Sequence, residues 1–168
     1  MPHIYRTWNA PMPTTAAVAK VTTGTSIKTM LQLATPATRM IQLVEWGFTL
    51  DTNPAGIGIV ELIQTNVAAT VTAHVAAGVQ PVDPNTPASL LTLGTSATGY
   101  TSTSEGATTA SRVFDAKLIP NANTGDALTY VYQFMPDARP AVAVSSFLRV
   151  RATFASAANM LCWITWQE

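Results

Sequence analysis

The chain has 168 residues, a formal net charge of zero and only 11% charged residues, against about 25% in a typical domain. This length fits one domain with a sizeable core, and the scarcity of charge argues against a nucleic-acid-binding face. It indicates a surface that is partly covered by neighbouring proteins, or else an uncharged polar surface on a soluble β-domain.

Residues 1–15 combine proline with aromatic side chains. Pro2, Pro11 and Pro13 disfavour regular structure, whereas Tyr5 and Trp8 are costly to leave in water. This composition predicts an N-terminal arm over residues 1–15 that docks on its own domain or on a neighbour. Residues 16–168 are predicted to form a single β-domain. No segment has the h-region of a signal peptide or the ~18 apolar residues of a membrane span.

Alternating apolar residues predict a series of strands after the arm. The first five candidates are Val18–Thr23, Ser26–Ala34, Met40–Leu50, Ile57–Thr65 and Ala68–Val75. Apolar residues occupy both faces of Met40–Leu50, which indicates a central strand or one covered by a partner. The turn residues DTNPAG after it predict a hairpin with Ile57–Thr65.

The stretch from Ala76 to Ala110 is rich in Gly, Pro, Thr and Ser and has little periodicity apart from Ser89–Leu93. A loop of this length in one domain is usually functional or packed on another subunit. Its part from Val82 to Leu93 is therefore a candidate docking segment.

The chain ends in the clearest alternation of all, after further candidates at Arg112–Ile119 and Ala127–Met135. Phe147–Phe154 and Met160–Trp166 alternate on either side of a small-residue turn, which predicts a terminal antiparallel hairpin. With eight or nine strands and no convincing helix, the sequence predicts an all-β antiparallel sandwich of the jelly-roll type.

No set of residues predicts a metal or cofactor site. His3 and His74 are far apart and Cys162 is the single cysteine, so neither a zinc site nor an intrachain disulfide is expected. Cys162 lies on an apolar strand and is expected to be buried and inert. His74 is expected to be a partly buried strand residue rather than a catalytic base.

Two pairs of charged residues have both a chemical and a structural interpretation. Glu45 and Glu61 would face each other across the predicted hairpin like a glycosidase pair, although exposed carboxylates on a sheet face are commoner. Arg149 and Arg151 would meet a phosphate or, as the favoured interpretation, form structural ion pairs. We therefore predict no enzymatic activity and no cofactor.

Three stretches resemble small virion-associated proteins of tailed phages of actinobacteria: VEWGFTLD at 44–51, TNVAATVTAHVAAGVQPVDPNTPASLLTLGTSATGYTSTSEG at 65–106, and FLRVRATFASAANMLCWITWQE at 147–168. The resemblance covers most of the chain from about residue 40 and includes no catalytic motif. It implies a role similar to that of jelly-roll decoration proteins, which sit as trimers on the outside of a capsid.

These patterns lead to an expected function and an expected contact surface. The expectation is a capsid decoration protein made in the host cytoplasm, located in the virion, forming a trimer, and contacting the major capsid protein or another virion protein. A receptor- or glycan-binding module of a tail or fibre is the alternative. The candidate partner-binding residues are Tyr5, Trp8, Val82, Pro84, Leu90 and Leu91.

Overall fold

Two antiparallel β-sheets pack face to face in the computed structural model, which describes residues 2–121 and 128–168. The strands of these residues are β1 (Ile4–Trp8), β2 (Val21–Thr22), β3 (Ile27–Ala34), β4 (Ile41–Leu50), β5 (Gly58–Thr65), β6 (Thr70–Ala73), β7 (Val79–Pro81), β8 (Gly99–Ser104), β9 (Arg112–Ile119), β10 (Leu128–Gln133), β11 (Ala141–Val142), β12 (Phe147–Phe154) and β13 (Asn159–Gln167). Two 3₁₀ turns, Ala76–Gly78 and Pro136–Ala138, are the only helical segments in these two ranges.

The strand order confirms the predicted sandwich. The larger, seven-stranded sheet has the order β10-β4-β13-β1-β7, with the two-residue strands β11 and β2 paired to β4 and β13, and the smaller, six-stranded sheet has the order β6-β8-β3-β12-β5-β9. Eight of these strands form two four-stranded layers, β1-β13-β4-β10 and β3-β12-β5-β9, and the chain passes between them in the jelly-roll order. The strand count exceeds the predicted eight or nine because short strands, such as β7 and β11, extend the layers.

Both predicted hairpins are wrong. β12 pairs with β3 and β5 in the smaller sheet, whereas β13 pairs with β4 and β1 in the larger sheet. β4 and β5 are likewise in different sheets. Period-two alternation marks one buried face on each strand, and it is the same whether consecutive strands pair side by side or pack face to face across a sandwich.

The apolar residues on both faces of β4 are explained by a β-bulge. The register against β13 shifts between Thr165 and Trp166, so that Val44 is an extra residue on β4. Because of this extra residue, Leu43 before the bulge and Trp46 after it both point into the core, where both are fully buried. The predicted central position of this strand is confirmed, because β4 lies between β10 and β13.

Within the predicted N-terminal arm, residues 4–8 form the first strand of the jelly roll. β1 lies between β13 and β7, with Ile4 opposite Gln167 and Trp8 opposite Trp163. Tyr5 is 2% exposed and stacks on Trp166 in the core, with 5.9 Å between ring centroids. Of the two docking alternatives, the structure therefore shows docking on the chain's own domain.

Truncation of Tyr5 tests this assignment. We expect Tyr5→Ala to destabilise the isolated domain by ~3–5 kcal/mol, which lowers the melting temperature by roughly 6–20 °C in a protein of this size. Tyr5→Phe is the matched control, because it removes only the hydroxyl that donates to the Pro87 carbonyl and costs ~1 kcal/mol. A thermal melt of Tyr5→Ala that coincides with wild type would show that β1 contributes nothing to the core.

Candidate functional site

The connection between β5 and β9 spans residues 66–111 and packs on both sheets of its own chain. It supplies β6 and β8 to the smaller sheet, where β8 pairs with β3, and β7 to the larger sheet, where β7 pairs with β1. Residues 82–91 between these strands have no regular structure and lie at one end of the sandwich. We call this segment the 82–91 loop.

Both ends of the chain hold the 82–91 loop in place. The Tyr5 hydroxyl donates a 2.8 Å hydrogen bond to the Pro87 carbonyl. The carboxylate of Glu168 accepts hydrogen bonds from the Ser89 hydroxyl at 2.6 Å and from the Leu90 backbone N–H at 2.8 Å. Burial, together with the negative charge of Glu168, raises the pKa of Tyr5, so its phenol stays a hydrogen-bond donor. The loop is therefore preorganised by bonds to β1 and to the residue that follows β13.

The anchored loop nevertheless presents apolar side chains to solvent. Val82 is 62% exposed and Leu90 is 49% exposed, and Pro84 between them is also exposed. A shallow depression of about 240 Å³ beside the loop is lined by Pro2, His3, Ile4, Val82, Asp83 and Thr86. Met40, 58% exposed, lies beside Glu168 in the wall of a neighbouring depression. Exposed apolar side chains on a rigid frame are the arrangement that protein contacts use.

Apart from Trp8, the predicted partner-binding residues divide into two groups. Val82, Pro84 and Leu90 are exposed on the loop, as a docking surface requires. Tyr5 and Leu91 are 2% and 5% exposed and belong to the core; Tyr5 anchors the loop at Pro87, and Leu91 is the buried last residue of the loop. The sequence did not identify Glu168 as a loop anchor, because a single glutamate side chain carries no pattern that reveals what it binds.

Trp8 lies away from the loop, on the outer face of the larger sheet. Its ring packs against Trp163, with 5.0 Å between centroids, and Trp163 lies across β4 above Gly47. A Cβ atom at position 47 would lie 2.4 Å from the Trp163 ring, so only glycine fits there. The Trp163 indole N–H donates to Glu45 at 2.9 Å, and Arg6 pairs with the same carboxylate at 2.8 Å.

The favoured interpretation of Arg149 is confirmed, since it has a structural role. Arg149 lies on the outer face of the smaller sheet, yet it is fully buried because residues 105–108 cover it. Its guanidinium donates to the backbone carbonyls of Val67, Glu105 and Ala107 and lies 3.8 Å from the Glu105 carboxylate. This buried cation therefore ties the 66–111 connection to the sheet.

The remaining acidic and basic candidates are also structural. Arg151 pairs with Glu61 at 2.9 Å and donates to the Thr108 carbonyl. Glu45 belongs to the larger sheet and Glu61 to the smaller one, so they do not form a facing carboxylate pair. In residues 2–121 and 128–168, no group of three or more His, Cys, Asp or Glu residues is placed to hold a metal ion.

His74 and Cys162 are both buried. Cys162 is fully buried, as predicted, and burial raises the pKa of its thiol well above the ordinary value. His74 is 2% exposed, and its Nε2–H donates to the Trp8 carbonyl at 2.9 Å. Burial lowers the pKa of His74 because the charged imidazolium would lose its hydration. The ring therefore stays neutral in the folded protein at pH values where a free histidine begins to take up a proton.

Comparison with known proteins finds no match among protein-family models, curated proteins or solved structures. Within the described part of the chain, no helix is long and apolar enough to span a membrane.

The buried His74 predicts a pH dependence of stability. An unfolded histidine takes up a proton as the pH falls below about 6.5, whereas the folded ring resists protonation until a lower pH. The free energy of unfolding should therefore be nearly constant between about pH 7 and pH 8 and fall by at most ~1.4 kcal/mol per pH unit below pH 6.5. Urea unfolding between about pH 8 and pH 5 measures this slope, since that range lies above the ordinary carboxylate pKa values.

The control for the pH series is His74→Gln, which keeps a side-chain N–H donor but does not titrate. Only the slope of the free energy of unfolding against pH is compared. A difference in absolute stability between this variant and wild type therefore does not affect the test. A slope below pH 6.5 that is the same in both proteins would show that His74 is not its source.

Proposed function

We propose that this protein is a structural component of a phage virion, a decoration protein that binds the outside of the head and stabilises the shell. The observation that carries the proposal is the 82–91 loop, which is held rigidly from within while Val82 and Leu90 face solvent. The low charge of the chain and its resemblance to small virion proteins support the same conclusion. The major capsid protein is the proposed partner.

The energetics suit a protein that acts in many copies. Burying one valine or leucine side chain contributes about 1.5–3 kcal/mol. Because Tyr5 and Glu168 already hold the loop, little conformational entropy is lost when it docks. A modest gain per subunit, repeated over a shell, would stabilise the particle. The trimer expected from the sequence stays a prediction.

A receptor- or glycan-binding module is the second candidate function. The partly exposed Trp8, packed on Trp163 beside the Arg6–Glu45 ion pair, favours it, because aromatic rings next to polar groups suit sugar recognition. Binding of the purified protein to a glycan panel, abolished by Trp8→Ala with the fold retained, would support this role. Because the exposed apolar groups of the 82–91 loop suit a protein partner better than a sugar, we rank it second.

Substitutions in the loop test the decoration proposal. Purified protein is added to particles that lack it, and the bound fraction is measured after sedimentation. We expect Val82→Asp and Leu90→Asp to weaken binding about tenfold or more, because a carboxylate cannot be buried in an apolar contact without a partner. Leu118→Asp is the matched control, since Leu118 is 61% exposed, close to the 62% of Val82, but lies on β9.

Each outcome of this experiment bears on a separate part of the proposal. If wild-type protein fails to bind the particles, the decoration role is wrong. If it binds and all three variants bind equally well, the 82–91 loop is not the contact surface. Loss of binding in the Leu118 variant alone would place the contact on the β9 side of the molecule.

A further inference from the structure

β10 and β7 end the strand order of the larger sheet, β6 and β9 end that of the smaller one, and these four differ in how well they resist pairing with another chain. β7 has three residues and ends in Pro81, and the register between β6 and β8 is irregular at two places. β9 has a bulge against β5, and the charged Asp115 and Lys117 lie on its core-facing side, beside the Tyr130 ring. Short length, proline, bulges and inward-pointing charges are the devices that keep edge strands from pairing.

β10 has none of these protective features. Its six residues, LTYVYQ, include no charge and no proline, and they pair with β4 in continuous register. No other strand in the described part of the chain pairs with its second edge. Val131 is 50% exposed and Tyr132 is 44% exposed. A regular, uncharged edge strand with exposed apolar side chains is a template for one more strand.

We propose that β10 pairs antiparallel with β10 of a second copy of this chain, about a two-fold axis perpendicular to the larger sheet. The occupant is a second copy because β10 is complementary to itself. It has no charge that would face a like charge across the axis. An isologous two-fold contact needs only one competent edge per subunit, whereas a ring would need a second one. The β6, β7 and β9 edges do not provide that second edge.

Self-complementarity fixes the register of the pair. In an antiparallel pair, opposite residues point to the same face, so a two-fold axis perpendicular to the sheet must pass midway between the two copies of one residue. With the axis at Val131, the core-facing stripe pairs with itself, and on the outer face Val131 meets its own copy while Thr129 meets Gln133. The resulting pairs are Val131 with Val131, Tyr130 with Tyr132, Thr129 with Gln133, and Leu128 with Phe134. An axis at Tyr130 would instead place the polar Thr129 against the apolar Val131.

The interface is small, which sets the affinity to be expected. Six residues of strand extend about 20 Å, and one strand pair buries less than the ~800 Å² per partner of a standard stable interface. The dimer should therefore be weak in dilute solution and be favoured wherever copies are held close together. This geometry differs from the trimer expected from the sequence, so the oligomeric state distinguishes the two.

Disulfide trapping tests the register directly. In an antiparallel pair, opposite Cα atoms lie about 4.5–5.5 Å apart, within the range that a disulfide spans. We expect Val131→Cys to form a covalent dimer under mild oxidation. Val113→Cys is the matched control, because Val113 is 56% exposed on the protected β9 edge. The native Cys162 is fully buried and does not compete. Equal crosslinking of both variants, or none at position 131, would overturn the proposal.

A charge-swap experiment tests the same axis without a covalent bond. Val131→Lys and Val131→Glu each place two like charges across the axis, so each variant alone should be monomeric by analytical ultracentrifugation from about 1 µM to 1 mM. An equimolar mixture should associate again, because a lysine then faces a glutamate.

The wild-type protein should shift from 17.8 kDa towards twice that mass over this range. A wild-type chain that stays monomeric throughout, a trimer that persists in Val131→Lys, or a mixture that stays monomeric would each contradict the two-fold β10 contact.

Discussion

The central positions of β12 and β13, one in each of the two sheets, are the constraint on which the rest of the structure depends. Each is a central strand of its own sheet: β13 pairs with β4 and β1, and β12 pairs with β3 and β5. Their inward side chains, among them Phe154, Val150, Ile164 and Trp166, belong to one buried cluster. The last strands of the chain thus organise strands that precede them, so most stabilising contacts are distant in sequence.

The candidate docking loop depends on the same pair of strands. Trp166 of β13 receives Tyr5 of β1, and Tyr5 in turn holds the loop at Pro87. Glu168 directly follows β13 and binds the loop at Ser89 and Leu90. A change in the core beneath Trp166 would therefore move the loop that carries the exposed apolar groups.

The outer faces of the two sheets are used differently. The smaller sheet is partly covered by its own chain, because Arg149 and Arg151 hold residues 105–108 against it. In the larger sheet, Trp163 and Trp8 cover part of the outer face, and the β10 edge has no second strand in the described ranges. The 82–91 loop and the β10 edge share no residue, so a contact at one does not require the other to be vacant.

The sequence by itself determined the fold class and the positions of most long strands, because the alternation of apolar and polar residues can be recognised within each strand. It also indicated that Cys162 is buried and that Val82 and Leu90 are candidate contact residues. Alternation does not say which strands pair, and for that reason β12 and β13 were predicted as a hairpin although they lie in opposite sheets.

Only the tertiary structure determined the burial or edge position of residues whose surroundings depend on distant segments of the chain. Tyr5 became a core residue because β7 and β13 flank its strand. Arg149 was buried because residues 105–108 fold over it, and β10 became an edge because no described strand follows it in the sheet. For Tyr5 and Arg149 the neighbours that cause burial are far away in the chain, and the local sequence does not indicate such contacts.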